Sequence, residues 1–289
     1  MKTLTLILAT ALAGVISLQA ATTHILTTGG KKGINAPAGV IFAKTAYKTG
    51  LRVKVINSQG SVHNISLAKH GHNKHGKISL FIANPSVFDK FKNKINFEKV
   101  GFLHTEFVHI VCNKDSGVTS IHDLESGDKT IATGFAGSDN KIIFENWQKE
   151  DDDYKSTTTV SIGSTFALES VISGEVDCTM FNAGLGSKTM QELDVNSKKL
   201  RIIKVDDWDF DDYKDSKGRH PYFVSDIPKG TYKNLQAGKI YGSNATKTIA
   251  MHSALYMRKD LPEITKDQIR SAYKLSVKKI RKKYGYVKN

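Results

Sequence analysis

Thr28-Gly29-Gly30-Lys31-Lys32-Gly33-Ile34-Asn35-Ala36-Pro37-Ala38-Gly39 stands where a short apolar segment gives way to a helical pattern. Three glycines at a strand-to-helix junction leave main-chain N–H groups uncovered, and those groups at a helix start can hold a small anion. Upstream, His24 to Thr27 reads as a short strand. Downstream, Val40, Ile41, Ala43 and Tyr47 fall on one face of a helix over 36–48. Leu51-Arg52-Val53-Lys54-Val55 alternates apolar and basic residues, as a strand does. Ser58-Gln59-Gly60-Ser61 opens a second helix carrying Val62, Ile65 and Ala68. Residues 78–83 form a strand that ends at Asn84-Pro85. The order βαβαβ predicts a parallel sheet covered by helices.

A second α/β unit follows a more irregular stretch. Phe107 to Cys112 and Thr130 to Thr133 read as strands, and Gly134 to Asp139 leads into a helix bearing Ile142, Ile143, Phe144 and Trp147. Ser164 to Ser173 is helical, Val176 to Phe181 is a strand ending in Asn182-Ala183-Gly184, and Leu200 to Val205 is another strand. The chain returns as a strand over 248–257 and closes in a long helix from about Thr265. The fold class expected is α/β, with two lobes and no flexible linker between them.

Met1-Lys2, the apolar run Leu4 to Leu18, and the small residues Ala20 and Ala21 have the layout of a secretory signal peptide. Removing the first 20 of 289 residues leaves 269, enough for about two domains. The formal net charge is +14, but the lysines are spread apart from Lys278-Lys279-Ile280-Arg281-Lys282-Lys283, so nucleic acid is not the expected partner. That field would favour the approach of anionic solutes. The two cysteines, Cys112 and Cys178, lie in apolar strand-like runs. Buried thiols are the expectation there, although an export compartment also permits a bridge.

In open α/β sheets, ligands bind outside the carboxyl ends of strands, near helix N-termini. Four segments share that position: Thr28 to Gly33, Asn57 to Ser61, Gly137 to Asp139, and Asn182 to Gly184. The expected binding residues are Thr28, Gly29, Gly30, Lys31, Gly33 and Asn35 in the first lobe's opening turn, with Ser58, Gln59, Gly60, Ser61 and Asn84 nearby. Gly137, Ser138, Asp139, Asn182 and Ala183 face them from the second lobe. A carboxylate would be held by N–H groups of Gly29 to Gly33 or Ser61, with a hydroxyl from Ser58 or Ser138. Asp139 either caps its own helix or meets a ligand ammonium.

The ordered series resembles the TAXI group of extracytoplasmic solute receptors of TRAP transporters. The resemblance rests on Thr28-Gly29-Gly30 with Gly33 and Pro37, on Asn57-Ser58-Gln59-Gly60-Ser61, and on His109-Ile110-Val111 through Asp115-Ser116-Gly117-Val118. Ile121-His122-Asp123-Leu124, Gly137-Ser138 and Leu255-Tyr256-Met257-Arg258-Lys259-Asp260-Leu261-Pro262 extend it over most of the chain. It implies a type II periplasmic-binding-protein fold and a periplasmic receptor, a two-lobe monomer, that closes on a small carboxylate or amino acid such as glutamate. It also implies delivery to an ion-gradient-driven membrane permease, with no cofactor and no reaction. The lobes are expected at 21–106 with about 259–289, and at 107–258. Where the family often has aromatic residues, this chain has Ile34-Asn35-Ala36, and Lys31 and Lys32 replace smaller residues.

An ABC-importer receptor has the same fold, and a basic surface antigen or adhesin is the reading from another class. No nucleophile elbow or zinc-ligand helix motif is present. His70-Gly71-His72-Asn73-Lys74-His75 reads as a solvated connection rather than a metal site. The acidic runs Glu150 to Asp153 and Asp206 to Asp212 read as solvated loops. Asn64-Ile65-Ser66 and Asn244-Ala245-Thr246 match the glycosylation triplet, a short pattern that arises readily by chance.

Overall fold

The computed structural model describes residues 22–70, 76–195, 197–236 and 245–288. The segment expected to be a signal peptide, His72, His75 and Asn244 lie outside the described residues. The chain opens with β1 (Thr23–Thr27), α1 (Asn35–Ala46), β2 (Arg52–Ile56), α2 (Ser61–Lys69), β3 (Ile78–Ala83) and α3 (Pro85–Phe91). It continues through β4 (Phe97–Asn113), β5 (Thr130–Ala132), α4 (Asp139–Glu150), β6 (Thr158–Val160), α5 (Ser164–Ser173), β7 (Cys178–Ala183) and α6 (Lys188–Val195). It ends with β8 (Leu200–Ile202), β9 (Tyr222–Ile227), β10 (Thr246–Arg258) and α7 (Glu263–Tyr284).

The strands form one ladder in the order β2-β1-β3-β10-β4-β7-β5-β6, with β8 on β4 and β9 on β10. β1 pairs parallel with β2 and β3, and β5 pairs parallel with β6 and β7, so each lobe has three parallel strands. Among the described residues, every antiparallel pair involves β4 or β10, the two long strands that run from one lobe into the other. β4 exchanges partners at Phe107: from Phe97 to Phe107 it lies against β10, and from Phe107 to Cys112 against β7. The β4–β10 register slips between His252 and Ala254 and again between Leu255 and Tyr256. Such irregularities bend and twist a ladder, which suits strands that turn from one sheet into the next.

Burial explains these choices. All six residues of β3 are buried, as expected of a strand covered on both faces. In α7, Ile269, Ala272, Ser276 and Ile280 repeat at helical spacing and are buried, and the helix packs on α1 and β4. Leu26, Phe42, Leu80, Leu255 and Ile269 belong to one core in the first lobe. Ile131, Phe144, Trp147, Cys178 and Phe210 belong to another in the second. Trp147 stacks on Phe210 with ring centroids 4.3 Å apart. α5 stops at Gly174, whose left-handed conformation closes its C-terminus. Among the described residues, no helix is long and apolar enough to cross a membrane.

Two expectations need correction, those for the cysteines and for the acidic runs. Cys112 and Cys178 are not free thiols: they stand directly opposite each other on β4 and β7 and are joined by a disulfide. Asn64 is fully buried, and its Nδ2 donates to the carbonyls of Thr28 (2.6 Å) and Ile82 (2.7 Å). It ties the turn after β1 to β3 and is unavailable as a glycan acceptor, in keeping with a triplet that arises by chance. The acidic runs are not simply solvated, because Asp207 is buried, accepts the Tyr154 hydroxyl at 2.9 Å, and lies beside Asp151 and Asp209.

Candidate functional site

The loops at the carboxyl ends of the strands meet across one cleft of about 670 Å³, within the range of small-molecule sites. Gly29, Gly30, Gly33 and Asn35 line it after β1, and Gln59 and Gly60 after β2. Gly137, Ser138 and Asp139 line it at the start of α4, and Asn182 and Ala183 at the end of β7. Five expected residues do not line it. Thr28 is buried, with its hydroxyl donating to the Ile56 carbonyl at 3.3 Å. Ser58 folds onto its own turn, its Oγ accepting from the Gly60 amide at 3.2 Å. The Ser61 Oγ accepts from the Asn84 amide at 3.0 Å, and the Asn84 Oδ1 caps α3 by accepting from the Ser86 amide at 3.0 Å. Lys31 is exposed and outside the lining.

Of the main-chain amides expected to grip an anion, those of Gly33 and Ser61 are engaged. The Gly33 amide donates to the Gly30 carbonyl at 3.0 Å, and the Gln59 amide to His63 Nδ1 at 3.2 Å. At the start of α2, the amides of Ser61 and Val62 donate to Asp139 Oδ2 (3.0 Å) and Oδ1 (3.2 Å). Asp139 therefore does not cap its own helix. Ser138 caps α4, its Oγ accepting from the Lys141 amide, and the Asp139 carboxylate crosses to cap a helix of the opposite lobe. Gly60, at φ 123°, brings the α2 start close: a Cβ there would lie 3.4 Å from Asp139 Oδ2. Burial pushes the Asp139 carboxyl above the usual range, against the lowering effect of the Ser61 and Val62 bonds.

The lobes also touch at the mouth. Lys32 pairs with Glu192 of α6, and Ile34 packs directly over Gly184, where a Cβ would overlap its Cδ1 and Cγ1. Beneath them lies Glu106, on β4 one residue before the exchange of partners. Its Oε1 accepts from Asn35 Nδ2 at 2.8 Å and its Oε2 from Asn182 Nδ2 at 2.9 Å, so the two lobes each hold one oxygen. The Asn35 Oδ1 in turn is 2.9 Å from His104 Nε2 and accepts from Ser253 Oγ at 2.7 Å. Burial, reinforced by the charge of Asp139, raises the Glu106 carboxyl to about 7 despite both amide bonds. Burial lowers His104 to about 4.

Glu106 was missed by sequence reasoning, although a lone carboxylate between Thr105 and Phe107 inside an apolar strand run is a visible signal. Phe135 was missed as well. It lines the cleft with 56% of its surface exposed and lies against Gly163.

Residues 26–274 match the sequence profile of the NMT1-like family. The fold is that of solved type II periplasmic binding proteins. An amino acid ABC transporter substrate-binding protein, AbpA from Streptococcus pneumoniae bound to L-arginine, aligns with a TM-score of 0.53 at 17% identity, covering 91% of this chain and 92% of that one. An ABC uptake transporter substrate-binding protein from Streptococcus pneumoniae with bound histidine gives 0.54 at 14% identity, covering 91% and 92%. The periplasmic binding protein BugD gives 0.55 at 14% identity, covering 91% and 86%.

Proposed function

The chain belongs to the NMT1-like family, and from that premise we propose that it is an extracytoplasmic solute-binding receptor. It captures a small amino acid or carboxylate between its lobes and delivers it to a membrane permease. The observation that carries this reading is the cleft: loops from the ends of β1, β2 and β7 and the start of α4 line one space of about 670 Å³. A solute seated there would touch both lobes, so binding favours the closed arrangement over the open one by its differential contacts. The permease reads that closure. The receptor itself carries out no reaction, acts as a monomer, and reaches the periplasm by its N-terminal signal.

The lobe boundaries follow the same reading. The first comprises 21–106 with about 259–289, the second 107–258, with β4 and β10 as the hinge; the change of partners at Phe107 supports the first crossing. Binding residues are Gly29, Gly30, Gly33, Asn35, Gln59, Gly60, Gly137, Ser138, Asp139, Asn182 and Ala183, with Thr28, Lys31, Ser58, Ser61 and Asn84 in support.

The permease is of the TRAP type on the family resemblance given above. An ABC importer is the second reading, favoured by the two ABC proteins of like fold. The genes beside this one separate the two: a two-membrane-subunit permease without an ATPase goes with TRAP, an ATPase with ABC. The receptor reading is tested by isothermal titration of the purified protein with the common amino acids and small mono- and dicarboxylates. Saturable heat with a rise in Tm is expected. No heat from any of them would refute it.

A further inference from the structure

The charge inside the cleft is opposite to that of the molecule. The chain carries a formal +14. Yet among the described residues lining the cleft there is no Lys or Arg, and the acidic side chains are Glu106 and Asp139. An anionic solute would meet two carboxyl groups and neither Lys nor Arg, with His63 as the imidazole of the lining. It would also find the amides of Gly33, Gln59, Ser61 and Val62 already donating to internal acceptors.

What the cleft offers is acceptors. Glu106 presents a carboxyl held from both sides by Asn35 and Asn182. The Asn182 amide is fixed in orientation because its Nδ2 donates to Glu106, which leaves Oδ1 as an acceptor, buried and without a hydrogen-bond partner. A buried acceptor without a donor is costly and asks for an N–H or O–H group. Phe135 adds an exposed ring to the same lining, and a ring face attracts cations.

We propose that the cleft recognises its solute through a cationic nitrogen, an ammonium or substituted ammonium bearing at least one N–H, seated between Glu106 and the free Oδ1 of Asn182 with Phe135 over it. This rests on the receptor reading and narrows it: amine-bearing solutes are taken and their deaminated counterparts refused. The raised carboxyl of Glu106 fits a group awaiting its counter-charge. The spread lysines lie outside the lining.

The test is titration calorimetry of the purified protein at pH 8 with the common amino acids, putrescine, and matched nitrogen-free acids, among them glutarate against L-glutamate and hexanoate against L-lysine. At least one amine-bearing solute is expected to bind, ten-fold or more tighter than its nitrogen-free partner. Glu106→Gln should weaken that solute ten-fold or more, with Tm confirming that the variant folds. Phe135→Ala, at an exposed position, should weaken it several-fold. A nitrogen-free acid that binds as well as its amine partner, or amine binding unchanged in Glu106→Gln, overturns the inference and leaves the receptor reading standing. Binding by no member of the panel overturns both.

Discussion

The Oδ2 of Asp139 accepts the Ser61 amide at 3.0 Å, so a helix of one lobe is capped by a side chain of the other. Glu106 repeats the relationship deeper in the cleft, with Asn35 on one oxygen and Asn182 on the other. Opening the cleft must break both sets of bonds. The closed arrangement is thus held by polar contacts at its base as well as by Lys32–Glu192 at its mouth.

Asp139→Ala should shift the protein toward the open arrangement. It leaves the first amides of α2 without acceptors, a loss of about 1 kcal/mol for a helix cap. Small-angle scattering of the unliganded protein should show a larger radius of gyration. Asp139→Asn, which keeps an acceptor oxygen, should restore part of the compaction. Unchanged scattering in Asp139→Ala would mean the bond does not hold the lobes.

Gly184 sets how close the lobes come. Gly184→Ala places a methyl group against Ile34, a buried residue, and overpacking of this kind typically costs about 1–3 kcal/mol. The cost should fall on the closed state, weakening solute affinity while Tm of the unliganded protein changes less. Adding Ile34→Ala makes room again and should recover affinity, giving a double-mutant cycle with a clear coupling. Additive losses would show that the two residues do not meet during closure.

The alternation of strands and helices was legible because period-2 and period-3.6 patterns are set by local burial. β3, α4 and α5 stand where the pattern put them. The N-terminal half of β4 was not, since Phe97 to Glu106 mixes charged and apolar residues and its pairing with β10 is decided about 150 residues away in sequence. Short β6, β9 and α6 were also hidden, being specified by tertiary packing rather than by periodicity. At the site, the four loops were legible from glycine, serine and asparagine content. The role of Asp139 was not, because its partner lies across the cleft, a relation that no local rule contains.

The Cys112–Cys178 bridge closes a long loop, with 66 residues of sequence separation. The chain-entropy estimate for that length is about 4 kcal/mol. Cys112→Ala with Cys178→Ala should lower stability by an amount of that order, measured by denaturant unfolding, and adding reductant to the parent protein should reproduce the loss. Because both cysteines sit in the second lobe's core and outside the cleft lining, solute affinity at low temperature should be retained.

Glu106 should make stability fall as pH rises. Its folded-state carboxyl is raised from 4.5 to about 7, so the fold prefers the protonated form. The stabilisation is complete below about pH 4.5 and is lost as pH passes through about 7, a difference of roughly 3 kcal/mol if no other group compensates. Asp139, also raised by burial, adds to the slope in the same direction. His104, held near 4 behind Asn35, stays neutral across that window. Chemical denaturation between pH 5 and 8 should therefore show declining stability in the unliganded protein and a flatter profile in Glu106→Gln. A bound ammonium reverses the preference, because it stabilises the ionised carboxylate. Amine binding near pH 6.5 should release up to one proton, read from titration heats in buffers of different ionisation enthalpy. Proton uptake, or a release that persists undiminished in Glu106→Gln, would assign the linkage to another group.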